Sequence, residues 1–252
     1  MMLSKKKLGK LRVILFQRPW MVSIGYETNE QWTHKCIGTI LSQNSIITSA
    51  ECVEQKGNLK LRTGDEDLTK PDDNALAKTY DLGNVLVHPN RNVNGMEHDL
   101  ALILLEIPLD FNENTKAICL PDKAELEDDK RHGHYSIASG WGQDLSGDVE
   151  LQEVAVTIFS KKYCASKHPN LPDFTNTSEV ICAGHDRELD FTCPGDSGAP
   201  LIVRQFFESG ISYFNLVGVH HQIDFKNCLK VPALFARIDD PSNLNWIKEK
   251  ML

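Results

Sequence analysis

No apolar run in the sequence is long enough for a bilayer-spanning helix. The longest, such as Ala101 to Leu105, fall far short of the roughly 20 residues required. Basic charge is not in excess either. Lys and Arg number 27 against 35 Asp and Glu, a net charge of −8, so the positive footprint that nucleic acid demands is missing. Neither a membrane nor a nucleic acid is expected as a partner. No two of the seven cysteines form a C-x-x-C pair, which argues against a zinc ribbon or a thioredoxin-type site. There is no internal repeat and no low-complexity tract. An intact secretion signal is also lacking. Lys5, Lys6 and Lys7 form a basic start, but Lys10 and Arg12 interrupt Leu8 to Phe16, and no small-residue cleavage site follows. Export is therefore expected either through a segment absent from this chain or as a piece of a longer precursor.

What is present reads as an ordinary globular chain. It has 252 residues, 41% hydrophobic and 25% charged, long enough to bury roughly three quarters of its unfolded surface without a metal or disulfide. The cysteines, at 36, 52, 119, 164, 182, 193 and 228, are widely spaced. That pattern favours disulfides and an oxidising compartment over buried free thiols in a reducing one. The odd count leaves at least one thiol over.

Short β-branched runs recur at Trp20–Ile24, Cys36–Leu41, Ser45–Thr48, Asn84–Val87, Leu100–Leu104, Tyr135–Ser139, Val154–Ile158, Leu201–Val203 and Leu216–Val219. Turn residues such as Pro89-Asn90 and Ser146-Gly147 divide them. Many short strands at this spacing predict a barrel or sandwich. The acidic stretch Asp122–Lys130 is placed to join two β halves. Asp240-Pro241-Ser242, followed by Leu244, Ile247 and Lys248, predicts a capped amphipathic helix over about 241–251.

One segment carries chemistry: Cys193-Pro194-Gly195-Asp196-Ser197-Gly198-Ala199-Pro200-Leu201. It resembles the nucleophile loop of chymotrypsin-like serine proteases nearly residue for residue. Gly140-Trp141-Gly142, Pro19-Trp20-Met21-Val22-Ser23 and Ala117-Ile118-Cys119-Leu120-Pro121 resemble three further stretches of that family. The resemblance implies an all-β fold of two antiparallel six-stranded barrels with a C-terminal helix. Barrel 1 would span about 19–121, barrel 2 about 131–238, and residues 1–18 would form an N-terminal extension. It implies Ser197 as nucleophile, with the backbone N–H groups of Gly195 and Ser197 as oxyanion hole. It also implies disulfides Cys36–Cys52, Cys164–Cys182 and Cys193–Cys228. Cys119 would remain, either free or tethering an upstream chain as in arthropod clip-domain relatives.

Three parts depart from the family pattern. The family's Ala-Ala-His-Cys is Ser49-Ala50-Glu51-Cys52 here, so Glu51 stands where the general base should be, while Asp99 keeps the aspartate position. A base that takes a hydroxyl proton and returns it works best with a pKa near 7, and an ordinary glutamate lies near 4.3. Ionised, Glu51 would be repelled by Asp99; neutral, it could take no proton. His221, at about the position of a family serine that contacts the aspartate, offers two readings: a substitute base, or a side chain that pairs with a carboxylate. At the specificity pocket, Phe191 replaces the residue at its base, and about His221-Gln222-Ile223 replaces a Ser-Trp-Gly wall. Phe191 would fill the pocket and Ile223 would obstruct its mouth. The family's Ile-Val-Gly-Gly-like activation start is missing. Arg12-Val13-Ile14 is the nearest candidate, but only six positions separate Val13 from Pro19, too short a tether to reach Asp196.

These losses point to a secreted, catalytically inactive protease homologue. It would bind protein, as regulator, cofactor or decoy among cascade proteases or their substrates, in a setting such as innate immunity. The alternative is an active endopeptidase using Ser197 with a non-standard base. No cofactor and no metal are expected. The acidic loop Asp65-Glu66-Asp67, then Asp72 and Asp73, falls where some relatives hold calcium, but such loops are commonly just solvated. His132 and His134 read the same way. Asn176-Thr177-Ser178 is an N-glycosylation sequon.

Overall fold

Extended backbone forms where Val, Ile, Thr and aromatic residues cluster, because branched side chains pack well on a pleated surface. The computed structural model describes residues 11–12, 18–29, 31–54, 57–70, 77–92, 97–122, 135–141, 150–184, 196–221 and 231–251. In chain order its strands are β1 (Leu11–Arg12), β2 (Met21–Thr28), β3 (Gln31–Ile40), β4 (Ser45–Thr48), β5 (Lys60–Thr63), β6 (Lys78–Asp81) and β7 (Asn84–Val87). Then come β8 (Ala101–Leu104), β9 (Tyr135–Gly140), β10 (Gln152–Phe159), β11 (Val180–Gly184), β12 (Pro200–Phe206), β13 (Ser212–His221) and β14 (Ala233–Arg237). The helices are α1 (Ala50–Val53), α2 (Lys161–Lys167) and α3 (Pro241–Lys250).

The first sheet runs β6-β5-β2-β3-β4-β8-β7, all antiparallel. It contains seven strands rather than six because one stretch is split. Residues 78–81 pair with β5, and residues 84–87 pair with β8. Leu82-Gly83 makes the corner between them. A Cβ on Gly83 would lie 1.9 Å from the Leu104 carbonyl oxygen, so only glycine lets the chain turn that close to β8. The corner carries the chain from one edge of the sheet to the other and curls it round. The second sheet closes into a six-stranded ring, β9-β10-β11-β14-β13-β12, since β9 pairs with both β10 and β12. Strand β1 adds to the edge of β10 through Leu11↔Glu153 and Arg12↔Gln152. Part of the expected N-terminal extension thus pairs with the second barrel, and Arg18 follows it with an ion pair to Glu153 at 2.6 Å.

Met21, Ile24, Ile37, Ile40, Ile46, Ile47, Leu61, Leu100 and Leu102 are fully buried in the first barrel. Their cluster continues through Trp141, Ile202, Leu216 and Val219 of the second sheet to Trp246 and Ile247 of α3. The two halves therefore share apolar surface. Helix α3 begins as its sequence suggests: the Asp240 carboxylate accepts the Ser242 N–H at 2.9 Å, and Pro241 opens the first turn. Cys36–Cys52 ties β3 to α1 and Cys164–Cys182 ties α2 to β11, with Cα separations of 5.9 and 6.3 Å. Cys119 is free and exposed. Cys193 and Cys228 lie outside the described residues, as do Asp72, Asp73, His132, His134 and nearly all of the acidic stretch after Asp122. Among the described residues no helix is long and apolar enough to cross a membrane.

Truncation should separate core from surface. Leu102→Ala leaves a cavity where nothing is exposed and is expected to cost about 2–5 kcal/mol in urea unfolding. Ile107→Ala, at a side chain 73% exposed, should stay within about 0.5 kcal/mol.

Candidate active site

The site assembles from four short segments. Strand β4 ends at Thr48, and the single turn of α1 follows. Cys52, bonded to Cys36, pins that turn to β3, and Glu51 projects from it. Asp99 is set by an unusual backbone step. His98 adopts φ 55°, a left-handed conformation that a non-glycine residue keeps only when its surroundings hold it. They do so on three sides. The His98 ring stacks on His88 at 4.3 Å. Its Nδ1 lies 2.7 Å from Asn243 Oδ1 on α3. Its Nε2 lies 2.9 Å from the Glu179 carboxylate. Asn243 is oriented in turn, its amide N–H donating to the Arg237 carbonyl at 2.6 Å.

Ser197 sits on a tight turn between the sheets. Its carbonyl accepts the Ile37 N–H at 2.8 Å, and the Gly198 N–H donates to the His220 carbonyl at 2.9 Å. Gly198 has φ 82°, and a Cβ there would come within 2.1 Å of the Ile37 carbonyl oxygen, so no side chain fits. Gly140 is constrained as well: a Cβ would lie 2.2 Å from Asp196 Oδ1.

The structure brings Ser197, Glu51, Asp99 and His221 together. Ser197 Oγ donates to Glu51 Oε1 at 2.6 Å. The Glu51 N–H donates to Asp99 Oδ1 at 3.3 Å. His221 Nδ1 lies 2.6 Å from Asp99 Oδ2; a carboxylate only accepts, so this nitrogen carries the proton. Of the two readings of His221, the geometry is that of a histidine pairing with a carboxylate. Arg91 Nε adds a further contact to Asp99 Oδ1 at 3.1 Å and also pairs with Glu54. The repulsion expected between Glu51 and a bare Asp99 is thus offset, since Arg91 and His221 both face the aspartate. Burial pulls the His221 pKa down, but the hydrogen bond and charge of Asp99 outweigh it and hold it above its ordinary value, with Glu51 contributing. His220 behaves oppositely. It is buried, its Nδ1 lies 3.0 Å from the Asp196 carbonyl, and burial pushes its pKa down to about 4.

Arg91, His98 and Asn243 were not apparent as site residues in the sequence. Arg91 lies in a turn and Asn243 on the last helix, where no motif marks them; His98 stands within the aspartate motif Glu97-His98-Asp99, which says nothing of its role. Gly195, Phe191, Gln222, Ile223 and the Cys193–Cys228 pair lie outside the described residues. Asn176 is exposed on a turn before β11. In the acidic loop, Asp65 pairs with Arg62 at 2.5 Å. Asp67 accepts from the Thr69 N–H and hydroxyl at 3.1 and 2.5 Å and pairs with Lys70. Protein donors therefore already hold these two carboxylates.

A model of the trypsin family matches residues 13–247. The chain is similar to a venom protease of Bombus pensylvanicus, at 28% identity over 87% of this chain and 89% of that protein. It is similar to the venom serine protease Bi-VSP of Bombus ignitus, at 27% identity over 81% of this chain, and spans 59% of that protein's length. Similarity to the CLIP domain-containing serine protease B4 of Anopheles gambiae is 29%, over 99% of this chain and 71% of the other.

His220 sets a pH test. Its pKa is lowered in the folded state, so below about 6.5 the unfolded chain binds the extra proton and stability falls toward pH 4. A shift from 6.5 to about 4 corresponds to roughly 3 kcal/mol across that window. Urea midpoints should show His220→Gln losing less stability than the wild type over that window, by about this amount.

Proposed function

This chain belongs to the trypsin family of serine proteases, and from that premise we propose that it is a catalytically silent member that acts by binding protein. The observation that carries the reading is the partner of Ser197: its hydroxyl donates to the carboxylate of Glu51 at 2.6 Å, in the place where the family holds an imidazole. A carboxylate on the nucleophile is a weak proton shuttle at neutral pH. The nearby His221 is engaged with Asp99. Losing one member of such a triad costs on the order of 10⁴–10⁶ in kcat. Phe191, Gln222 and Ile223 would close the specificity pocket, and the missing activation start would leave Gly195 and Ser197 without an ordered oxyanion hole. Three separate parts of the machinery are affected, which supports a retired enzyme over an altered one.

The setting is extracellular. Cys36–Cys52 and Cys164–Cys182 fit an oxidising compartment, two relatives are named as venom proteases, and a third carries a clip domain. The partners are cascade proteases or their substrates, toward which the chain acts as regulator, cofactor or decoy in a pathway such as innate immunity. An upstream chain would attach through Cys119, which is free and exposed. Asn176, exposed within its sequon, would carry an N-linked glycan.

The 2.6 Å contact between Ser197 and Glu51 also favours a second reading, hydrolysis with Glu51 as base. A fluorophosphonate probe separates the two. Wild-type Ser197 is expected to stay unlabelled between pH 4 and pH 8 while an active relative labels fully; stoichiometric labelling would sink the silent reading. The double variant Glu51→His/His221→Ser frees Asp99 for an imidazole at position 51. It should label faster than the wild type if the base alone is limiting, and stay silent if the pocket and activation switch are also lost.

A further inference from the structure

We propose that Glu51, Asp99 and His221 form a zinc site. Each offers a ligand atom, and the three atoms lie within 4.8 Å of one another. Nothing in the sequence marks the site, because the residues are 48 and 122 positions apart and form no metal-ligand spacing. The fold assembles them: Glu51 on α1, Asp99 before β8, and His221 at the end of β13. In tetrahedral zinc coordination, bonds of roughly 2.0–2.1 Å put ligand atoms about 3.3 Å apart.

The donor chemistry selects the ion. One imidazole nitrogen and two carboxylates suit zinc, whereas calcium requires six to eight oxygens. Ser197 Oγ, 2.6 Å from Glu51 Oε1, or a water supplies a fourth donor. Arg91 Nε contacts Oδ1 of Asp99, while Oδ2 faces His221 Nδ1 and is the oxygen the metal would share with that nitrogen. On binding, the ion takes the place of the proton that His221 Nδ1 donates to Asp99 Oδ2, and that proton passes to solvent. The acidic loop is a poor competitor, since Asp65 and Asp67 are held by Arg62, Thr69 and Lys70. The inference does not rest on the silence of Ser197, because metal content is read independently of labelling.

The test uses the full oxidised chain, freed of metal and dialysed against zinc chloride at neutral pH. One tightly held equivalent is expected, with a raised Tm. Glu51→Gln and His221→Asn should each weaken binding by at least about tenfold, while the double variant His132→Asn/His134→Asn leaves it unchanged. X-ray absorption on the wild type should show a shell of nitrogen and oxygen only, so the assignment survives even if a variant misfolds. No retained zinc, a sulfur in the shell, or binding that tracks His132 and His134 instead would each overturn the proposal.

Discussion

The cleft depends on one buried charge. Asp99 is 1% exposed, and a carboxylate taken out of water must be compensated by charge and hydrogen bonds or it destabilises the fold by several kcal/mol. In an ordinary member of this family the triad imidazole supplies part of that compensation. With Glu51 at that position, the load shifts to Arg91, to the Glu51 backbone N–H and to His221. His221 thus explains how the fold tolerates a glutamate at position 51. It supplies an imidazole to Asp99 from β13 of the second sheet and leaves Ser197 to Glu51. The elevated pKa of His221 is the same fact seen from the other partner.

The nucleophile loop has a structural role of its own, apart from any catalysis. The Ser197 carbonyl holds the Ile37 N–H of β3, the Gly198 N–H holds the His220 carbonyl of β13, and His220 returns a bond to the Ala199 carbonyl. These bonds join the first sheet to the second. Gly198 is fixed by its positive φ and by the approach of Ile37, and Gly140 by Asp196. A sequence that looks like a preserved active site is also the seam between two halves, so Asp196-Ser197-Gly198 by itself says little about turnover.

Much of this was legible in the residues and some was not. β4 and β7 were read at their exact bounds, and β9 nearly so, because three apolar or β-branched residues in each short run stand between turn residues. β6, with Lys78, Thr79, Tyr80 and Asp81, carries no apolar alternation. β5 alternates Leu61 inward with Lys60 and Arg62 outward and is only four residues long. β11 is buried along its length and looks like any short apolar run. β1 forms because β10 offers an edge, a property of the partner and not of Leu11–Arg12. In the cleft, Glu51, Asp99 and Ser197 were named by motif. Arg91 and the His98–Asn243 clamp reach Asp99 only through the fold, from a turn and from α3, where no local pattern records the contact.

The charges of the site show how a glutamate at the family's histidine position is accommodated. Glu51 and Asp99 face Arg91 and a His221 whose proton Asp99 holds in place. Catalysis needs that set out of balance, with one group poised to take and release a proton near neutral pH. Here the proton on His221 is committed to Asp99, and the Ser197 proton is already directed at a carboxylate. The arrangement is a compensated polar cluster, stable as it stands. The acceptor nearest Ser197 is the Glu51 carboxylate, where the family holds an imidazole. Two carboxylates and an imidazole nitrogen lie within 4.8 Å of one another, a donor set that suits a divalent cation.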